Sequence, residues 1–194
     1  QVPNADFLMG LYQLAKKYEV KLILDEVQSG YGRTGRFFAH QWVDGLYPDL
    51  ITIAKGMGNG FPIGGLLLSS EFKASYGLLG TTFGGNHLAC AAGLAVLEVL
   101  ESEQLQQKAL ELGERLMSEL RTIPGVVAVR GKGLMIGLDV NQDAGPIRTL
   151  LVSKYNIFSG SAAGKETIRL LPPLSVEWSQ LNSFVLALKE VLAS

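Results

Sequence analysis

An acidic and a basic residue stand at the ends of two apolar segments of this sequence. The segment Val20–Leu24 leads into Asp25, and Asp49–Ala54 leads into Lys55. In open α/β sheets, ligands bind outside the carboxyl ends of strands, so a carboxylate and an amine placed there can act on one ligand. The lysine amine can form a covalent bond with an aldehyde, and the aspartate can keep a pyridine nitrogen protonated. The two residues together therefore suit a pyridine cofactor that carries an aldehyde. The pair by itself also permits a plainer hypothesis, in which Lys55 opens a surface loop and Asp25 caps a turn.

Four sequence motifs surround these residues. They cover Leu24–Gly35, Ala54–Pro62, Gly80–Asn86 and Ile168–Leu174, in that order along nearly the whole chain. Each resembles a segment of the class III pyridoxal-phosphate aminotransferases, the group that contains the ornithine and acetylornithine aminotransferases. One such match can arise by chance, but four in the family's order indicate a relationship.

The resemblance implies roles for the residues near the two strand ends. Lys55 would attach the cofactor covalently and carry the proton between the substrate and the cofactor. Asp25 would pair with the pyridinium nitrogen, Val27 would pack under the ring and Gln28 would hydrogen-bond the phenolic oxygen. Val27 could equally be an ordinary core residue.

The same resemblance implies three further contacts. Thr82 would bind the cofactor phosphate of a partner subunit, with Thr81 close to the substrate, and Arg169 would grip a substrate carboxylate with its bidentate fork. Thr82 could instead cap the helix that begins near Asn86. Arg169 lies in an apolar strand, so we expect it to be buried and to need an anionic partner.

Other polar residues of the sequence are assigned no chemistry. Glu26 directly follows Asp25, so on a strand end it would point away from the ligand and is interpreted as structural. His40 and His87 have no other ligand types at metal-binding spacing, and no metal site is predicted.

Hydrophobic periodicity predicts the elements that position these residues. A helix capped by Asn4 precedes the strands, an amphipathic helical stretch follows Asn86, and a smaller α+β region follows Pro124. The predicted fold is α/β with both sheet faces covered. By resemblance it is the C-terminal half of a fold-type I enzyme: part of the large-domain mixed sheet, a long connecting helix and a small α+β domain. The expected domains are residues 1–100 and 101–194.

Composition narrows the class of protein. Of 194 residues, 47% are hydrophobic and 18% charged, which is typical of a globular protein, and the net charge of −1 argues against a nucleic-acid partner. No apolar run is long enough to span a membrane. The single cysteine, Cys90, excludes an internal disulfide and fits the cytoplasm. Because the chain opens at Gln1 directly in helical sequence, we expect it to lack a preceding half.

The predicted activity is the transfer of the terminal amino group of an N-acyl-ornithine, or a similar amine, to 2-oxoglutarate by a homodimer with pyridoxal 5'-phosphate. Ornithine or 4-aminobutyrate as donor stays open, as do the decarboxylases, racemases and aminomutases that share the lysine and aspartate. Two alternatives belong to other classes of protein.

The first is a nucleotide hydrolase, which would need a P-loop that this sequence lacks. An inactive truncated fragment that only dimerises is the second alternative.

Overall fold

A capped helix opens the chain in the computed structural model, which describes residues 1–193. Helix α1 spans Ala5–Lys17, and the side chain of Asn4 accepts a hydrogen bond from the Phe7 amide at 2.7 Å. This is the predicted cap, since an Asn oxygen satisfies an amide that the first turn leaves unpaired. None of the helix residues is buried, so the apolar stripe of α1 lies open in this chain.

The first sheet has three short strands. They are β1 (Ile23–Asp25), β2 (Leu50–Ile53) and β3 (Gly65–Leu68), with β1 parallel to β2 and β3 antiparallel to β2. The predicted mixed sheet is therefore present. All four residues of β3 are exposed, which agrees with a chain that contains only part of the large-domain sheet. Packing, rather than strand sequence, decides whether a face is covered.

The helical stretch after Asn86 is interrupted once. Helix α2 spans His87–Ser102 and α3 spans Leu105–Arg121. Between them, Gln104 adopts a left-handed conformation with φ of 52° and its amide bonds back to the Glu101 carbonyl. This differs from the uninterrupted helix that the sequence indicates, because apolar periodicity continues across the break.

The second sheet is antiparallel throughout. Strands β4 (Val126–Lys132), β5 (Met135–Val140), β6 (Gly160–Ser161) and β7 (Thr167–Leu170) lie in the order β4-β5-β7-β6. The sequence did not predict β6, which has only two residues. Helix α4 (Ala144–Tyr155) precedes β6, and α5 (Trp178–Ala193) follows β7.

A hydrophobic core lies between this sheet and helices α3, α4 and α5. The stripe of α3 contributes Ala109, Leu116 and Leu120, all fully buried, and the sheet contributes Leu138 and Ile168. Burying one such side chain stabilises the folded state by about 1.5–3 kcal/mol. This region therefore has a complete core of its own.

The chain divides into two compact units. The N-terminal unit comprises Pro3–Gly32 and Arg36–Gln104, with α1, α2 and β1–β3. The C-terminal unit comprises Leu105 to the end of the described chain, together with Gln1–Val2 and Arg33–Gly35. Within residues 1–193, no helix has the length and apolar character needed to cross a membrane.

Candidate active site

Asp25 and Lys55 come at the carboxyl ends of two adjacent parallel strands. Asp25 is the last residue of β1 and pairs in register with Thr52 of β2. The next residue, Glu26, extends the ladder through its amide, which bonds to the Thr52 carbonyl at 3.1 Å. Lys55 follows β2 directly after Ala54. Because parallel strands end at the same sheet edge, both functional groups belong to one edge of the first sheet.

The carboxylate of Asp25 is oriented by two hydrogen bonds. Its Oδ1 atom accepts from the Val27 amide and from Thr52 Oγ1, each at 3.0 Å. Asp25 therefore does cap the turn that follows it, as the plainer hypothesis held. Its Oδ2 atom has no hydrogen-bond partner within residues 1–193 and can accept from a ligand. The cap and the ligand role use different oxygens, so one does not exclude the other.

Lys55 has an unusual backbone conformation. Its φ of 46° places it in the left-handed region, which residues other than glycine rarely adopt. Lys55 begins a short 3-10 turn, closed by bonds from the Met57 amide to the Ala54 carbonyl and from the Gly58 amide to the Lys55 carbonyl. Such conformations cost on the order of 1–3 kcal/mol and cluster at functional sites.

The amine of Lys55 is available for reaction. The residue is exposed, and among the described residues its side chain has no hydrogen bond and no ion pair. Two other lysines of the same unit differ, since Lys16 and Lys21 both lie within ion-pair distance of the Asp49 carboxylate. A ligand role for Lys55 stays a prediction.

One contact connects the loop after Asp25 with the turn that carries Lys55. A methyl group at Gly56 would lie 3.2 Å from Tyr31 Cβ, so only glycine allows this approach without a shift of the Tyr31 side chain. Tyr31 is buried, and burial raises the pKa of its hydroxyl. The two loops of the candidate site therefore pack on each other directly.

A buried carboxylate anchors the loop after Asp25. Glu26 is 3% exposed and accepts hydrogen bonds from Ser29 Oγ, the Ala39 amide and the His40 amide, with His40 Nδ1 at 3.1 Å. Burial alone would raise the pKa of Glu26, but the bonds from His40, Ser29 and the amides outweigh it and lower the pKa. The structural interpretation of Glu26 is confirmed. Its pairing with His40, fourteen positions later, left no signal in the spacing of the sequence.

Val27 and Gln28 lie in the turn directly after Asp25. Both side chains are partly exposed. Val27 is therefore not a fully buried core residue. The Val27 amide bonds to the Asp25 carboxylate. The structure thus brings Asp25, Val27 and Gln28 together in one short turn.

Thr81 and Thr82 lie in an exposed loop before α2. Thr81 Oγ1 accepts a bond from the Gly84 amide at 3.1 Å. The cap of α2 is Asn86, whose Oδ1 accepts from the Ala89 amide at 3.0 Å. The alternative interpretation of Thr82 as the helix cap is therefore wrong. No hydrogen bond in the described part of the chain joins either threonine to Asp25 or Lys55.

Arg169 belongs to the C-terminal unit and is exposed, so the expectation that it is buried is wrong. Strand β7 turns Ile168 and Leu170 into the core and leaves Arg169 on the opposite face. On that face, Asp139 forms a two-bond ion pair with Arg130 and accepts from Thr167 Oγ1. These bonds lower the pKa of Asp139, with the Arg130 bond the largest cause. Within residues 1–193, Arg169 has no anionic partner, and its role toward a substrate carboxylate stays a prediction.

The donors and acceptors of this site suit an organic cofactor rather than a metal. In the part of the chain that the structure describes, no group of three or more His, Cys, Asp or Glu residues could hold an ion. Asp25 offers an unused carboxylate oxygen, and Lys55 offers an unpaired amine. These fit a protonated ring nitrogen and an aldehyde, two of the groups by which a protein holds pyridoxal phosphate.

Comparisons with known proteins agree with this chemistry. Residues 1–192 match the family model described as aminotransferase class-III. The acetylornithine aminotransferase 1 of Bordetella bronchiseptica is 42% identical over 92% of this chain and 46% of its own length. The ornithine aminotransferase of Bacillus cereus is 40% identical over 99% of this chain and 49% of its own length. The chain spans about half the length of the curated relatives it matches.

Solved structures show the same architecture. The crystal structure of acetylornithine aminotransferase from Elizabethkingia anophelis matches with a TM-score of 0.85 and 30% identity, over 99% of this chain and 50% of that protein. The predicted fold class, the C-terminal half of such an enzyme, is thereby confirmed, and this family depends on pyridoxal phosphate. The chain belongs to the class III aminotransferases.

Proposed function

We propose that the intact protein moves the terminal amino group of an N-acyl-ornithine, or of a similar amine, to 2-oxoglutarate. The observation that carries this proposal is the open strand edge with an unused Asp25 oxygen and an unpaired Lys55 amine. Relatives named for acetylornithine and for ornithine support the type of amino donor.

Bound pyridoxal phosphate supplies an aldehyde and an electron-accepting ring. Asp25 Oδ2 would accept a hydrogen bond from the protonated ring nitrogen. The bonds from Thr52 and Val27 to Oδ1 hold the carboxylate in place for this contact. Val27 would lie against the ring, and Gln28 would donate to the phenolic oxygen.

Lys55 would serve twice. Its amine would hold the cofactor covalently through the aldehyde carbon, with loss of water, and once freed by the substrate it would carry a proton to and from the substrate carbon that bears the amino group. Its exposed side chain and lack of an ion-pair partner among the described residues leave the nitrogen available for both tasks.

The remaining residues would bind substrate and partner subunit. Arg169 would hold a substrate carboxylate with its planar fork, which matches the two oxygens of that group. Thr82 would bind the cofactor phosphate of the partner in a homodimer, with Thr81 close to the substrate. The exposed loop that contains both threonines is compatible with a contact to another subunit.

The proposed location is the cytoplasm, a reducing compartment that a chain with a single cysteine fits.

The test is covalent trapping in the intact protein. Borohydride reduction after addition of pyridoxal phosphate should fix the cofactor on the peptide that contains Lys55, as read by mass spectrometry. Lys55→Ala should abolish the trapping and lower turnover at least about 10⁴-fold, because it removes both the attachment point and the proton carrier.

Lys73→Ala is the matched control, since Lys73 is another exposed lysine of the same unit. It should leave trapping and turnover unchanged. Trapping on a residue other than Lys55, or near-normal turnover by Lys55→Ala, would contradict the proposed function.

A further inference from the structure

We propose that Gly160 is a positioning residue for the Arg169 guanidinium, and that its missing side chain sets the affinity for carboxylate substrates. The inference rests on the proposed role of Arg169 and extends it to a neighbouring strand. It concerns the outer face of the second sheet, opposite the hydrophobic core.

Arg169 lies between two glycines on this face. In the antiparallel sheet it pairs in register with Gly160 of β6 on one side and with Gly137 of β5 on the other. Directly opposed residues of an antiparallel pair project on the same face of the sheet. The Arg169 side chain therefore has no side chain beside it on either neighbouring strand at its own level.

The two glycines differ in how close they come to Arg169. A methyl group at position 160 would lie 3.1 Å from Arg169 Nε, 3.4 Å from its Cβ and 3.2 Å from its carbonyl oxygen. The nearest atoms to a methyl group at position 137 would belong to Arg130 and Thr167, at 3.8 Å. Ordinary van der Waals contact thus suffices at 137, whereas at 160 Arg169 would have to shift by a few tenths of an ångström, and its side chain can do so more easily than its backbone.

Nothing else in the described part of the chain holds the guanidinium in place. Arg130 is fixed by two bonds to Asp139, and Thr167 also bonds to that carboxylate. Arg169 has no comparable bond within residues 1–193. The orientation of its guanidinium group therefore depends on the steric contacts around it. The bare backbone of Gly160 provides space for that group.

The consequence is a change in substrate affinity rather than in chemistry. A guanidinium binds a carboxylate well only when two N–H groups align with the two oxygens. Pushing Nε away from β6 would misalign one of them. The reacting groups, Asp25 and Lys55, are not part of this sheet and would be unaffected.

The experiment compares Gly160→Ala with Gly137→Ala in the intact, cofactor-loaded protein. Gly160→Ala should raise KM for 2-oxoglutarate about 3- to 10-fold while kcat changes less than about 2-fold, because only binding is altered. Gly137→Ala, the same change on the other side of Arg169, should leave both constants within about 2-fold. Calorimetry with glutarate on cofactor-free protein should show the same difference in Kd.

Two further measurements separate the possible failures. In an Arg169→Ala background, Gly160→Ala should have no additional effect on KM, since the two changes act on one interaction. Thermal unfolding of each variant identifies a general loss of fold, which would lower kcat and affect the double variant as well. Equal KM values for Gly160→Ala and the unchanged protein would overturn the inference.

The proposed function fails in a different way. Arg169→Lys keeps the charge but loses the fork, so KM for 2-oxoglutarate should rise at least about tenfold. If it does not rise, the carboxylate role of Arg169 is wrong. If it does rise while Gly160→Ala has no effect, only the positioning role of Gly160 is wrong.

Discussion

The two sheets of this chain are covered to very different degrees. In the C-terminal unit, Leu138 and Ile168 are 0% exposed beneath three helices. In the N-terminal unit, every residue of β3 is exposed, and Leu67 keeps 43% of its surface. The strands of the exposed sheet are no less apolar than those of the covered sheet, so the difference comes from what packs on them.

This contrast separates stability from reactivity. The unit with the closed core has the means to fold on its own contacts, and of the site residues it carries only Arg169. The unit with open faces carries Asp25 and Lys55. The strand edge that carries the proposed reactive residues therefore lies in the unit with more exposed apolar surface, and an uncovered apolar face of this kind favours association.

The largest expected effect tests the contrast in stability. Leu138→Ala should lower the free energy of unfolding by about 2–5 kcal/mol, because it leaves a cavity in a closed core. Leu67→Ala should change it by less than about 1.5 kcal/mol, since 43% of that residue is already exposed to solvent. Urea unfolding of the 194-residue chain measures both. Comparable losses would show that β3 is covered in solution and would remove the contrast.

The next effect tests the reactive edge of the open unit. Asp25→Asn keeps an oxygen for the Val27 and Thr52 bonds but removes the charge that stabilises a protonated ring nitrogen. The single-turnover rate of the intact protein should fall at least about 100-fold while part of the cofactor is retained.

Thr52→Val is a milder change at the same carboxylate and is compared with Asp25→Asn. It removes only one hydrogen bond to the Asp25 carboxylate, at 3.0 Å, and keeps the shape of the side chain. A rate loss of at most about tenfold is expected, as one hydrogen bond contributes about 0.5–1.5 kcal/mol. Unchanged single-turnover kinetics in Asp25→Asn would contradict the role of this carboxylate.

The smallest effect concerns the anchored loop of the open unit. The pKa of Glu26 is lowered from its ordinary value of 4.5 in the folded protein. A lowered pKa contributes stability that is present above pH 4.5 and is lost as the pH falls through the folded value. Glu26→Gln should therefore cost about 0.5–1.5 kcal/mol at pH 7, and less at pH 3.

Asp139→Asn supplies the comparison from the other unit. The Asp139 side chain is 29% exposed and its pKa is lowered chiefly by Arg130, so the cost at pH 7 should be about 1 kcal/mol or less. Unfolding free energies between pH 3 and 7 measure both variants. A cost for Glu26→Gln that stays constant over this range would show that its charge does not stabilise the loop.

Local signals in the sequence determined much of this protein. Asn4 caps its helix as predicted, because a cap depends on residues only three positions apart, although the second helix is capped by Asn86 and not by Thr82. Asp25 and Lys55 were placed at strand ends correctly, since an apolar run and its polar successor are adjacent in the chain. The family motifs, four short runs in order, also needed no tertiary information.

Only the tertiary structure decided the rest. The bond between Glu26 and His40, the exposure of Arg169 and its two glycine neighbours all depend on which segments meet in space. Strand β6, two residues long, offers no pattern from which its pairing with β7 could be predicted. An apolar strand sequence shows that a face can be buried, but the elements that pack against it determine whether it is. For this reason the apolar sequence of β3 did not by itself determine that the strand is exposed in the fold.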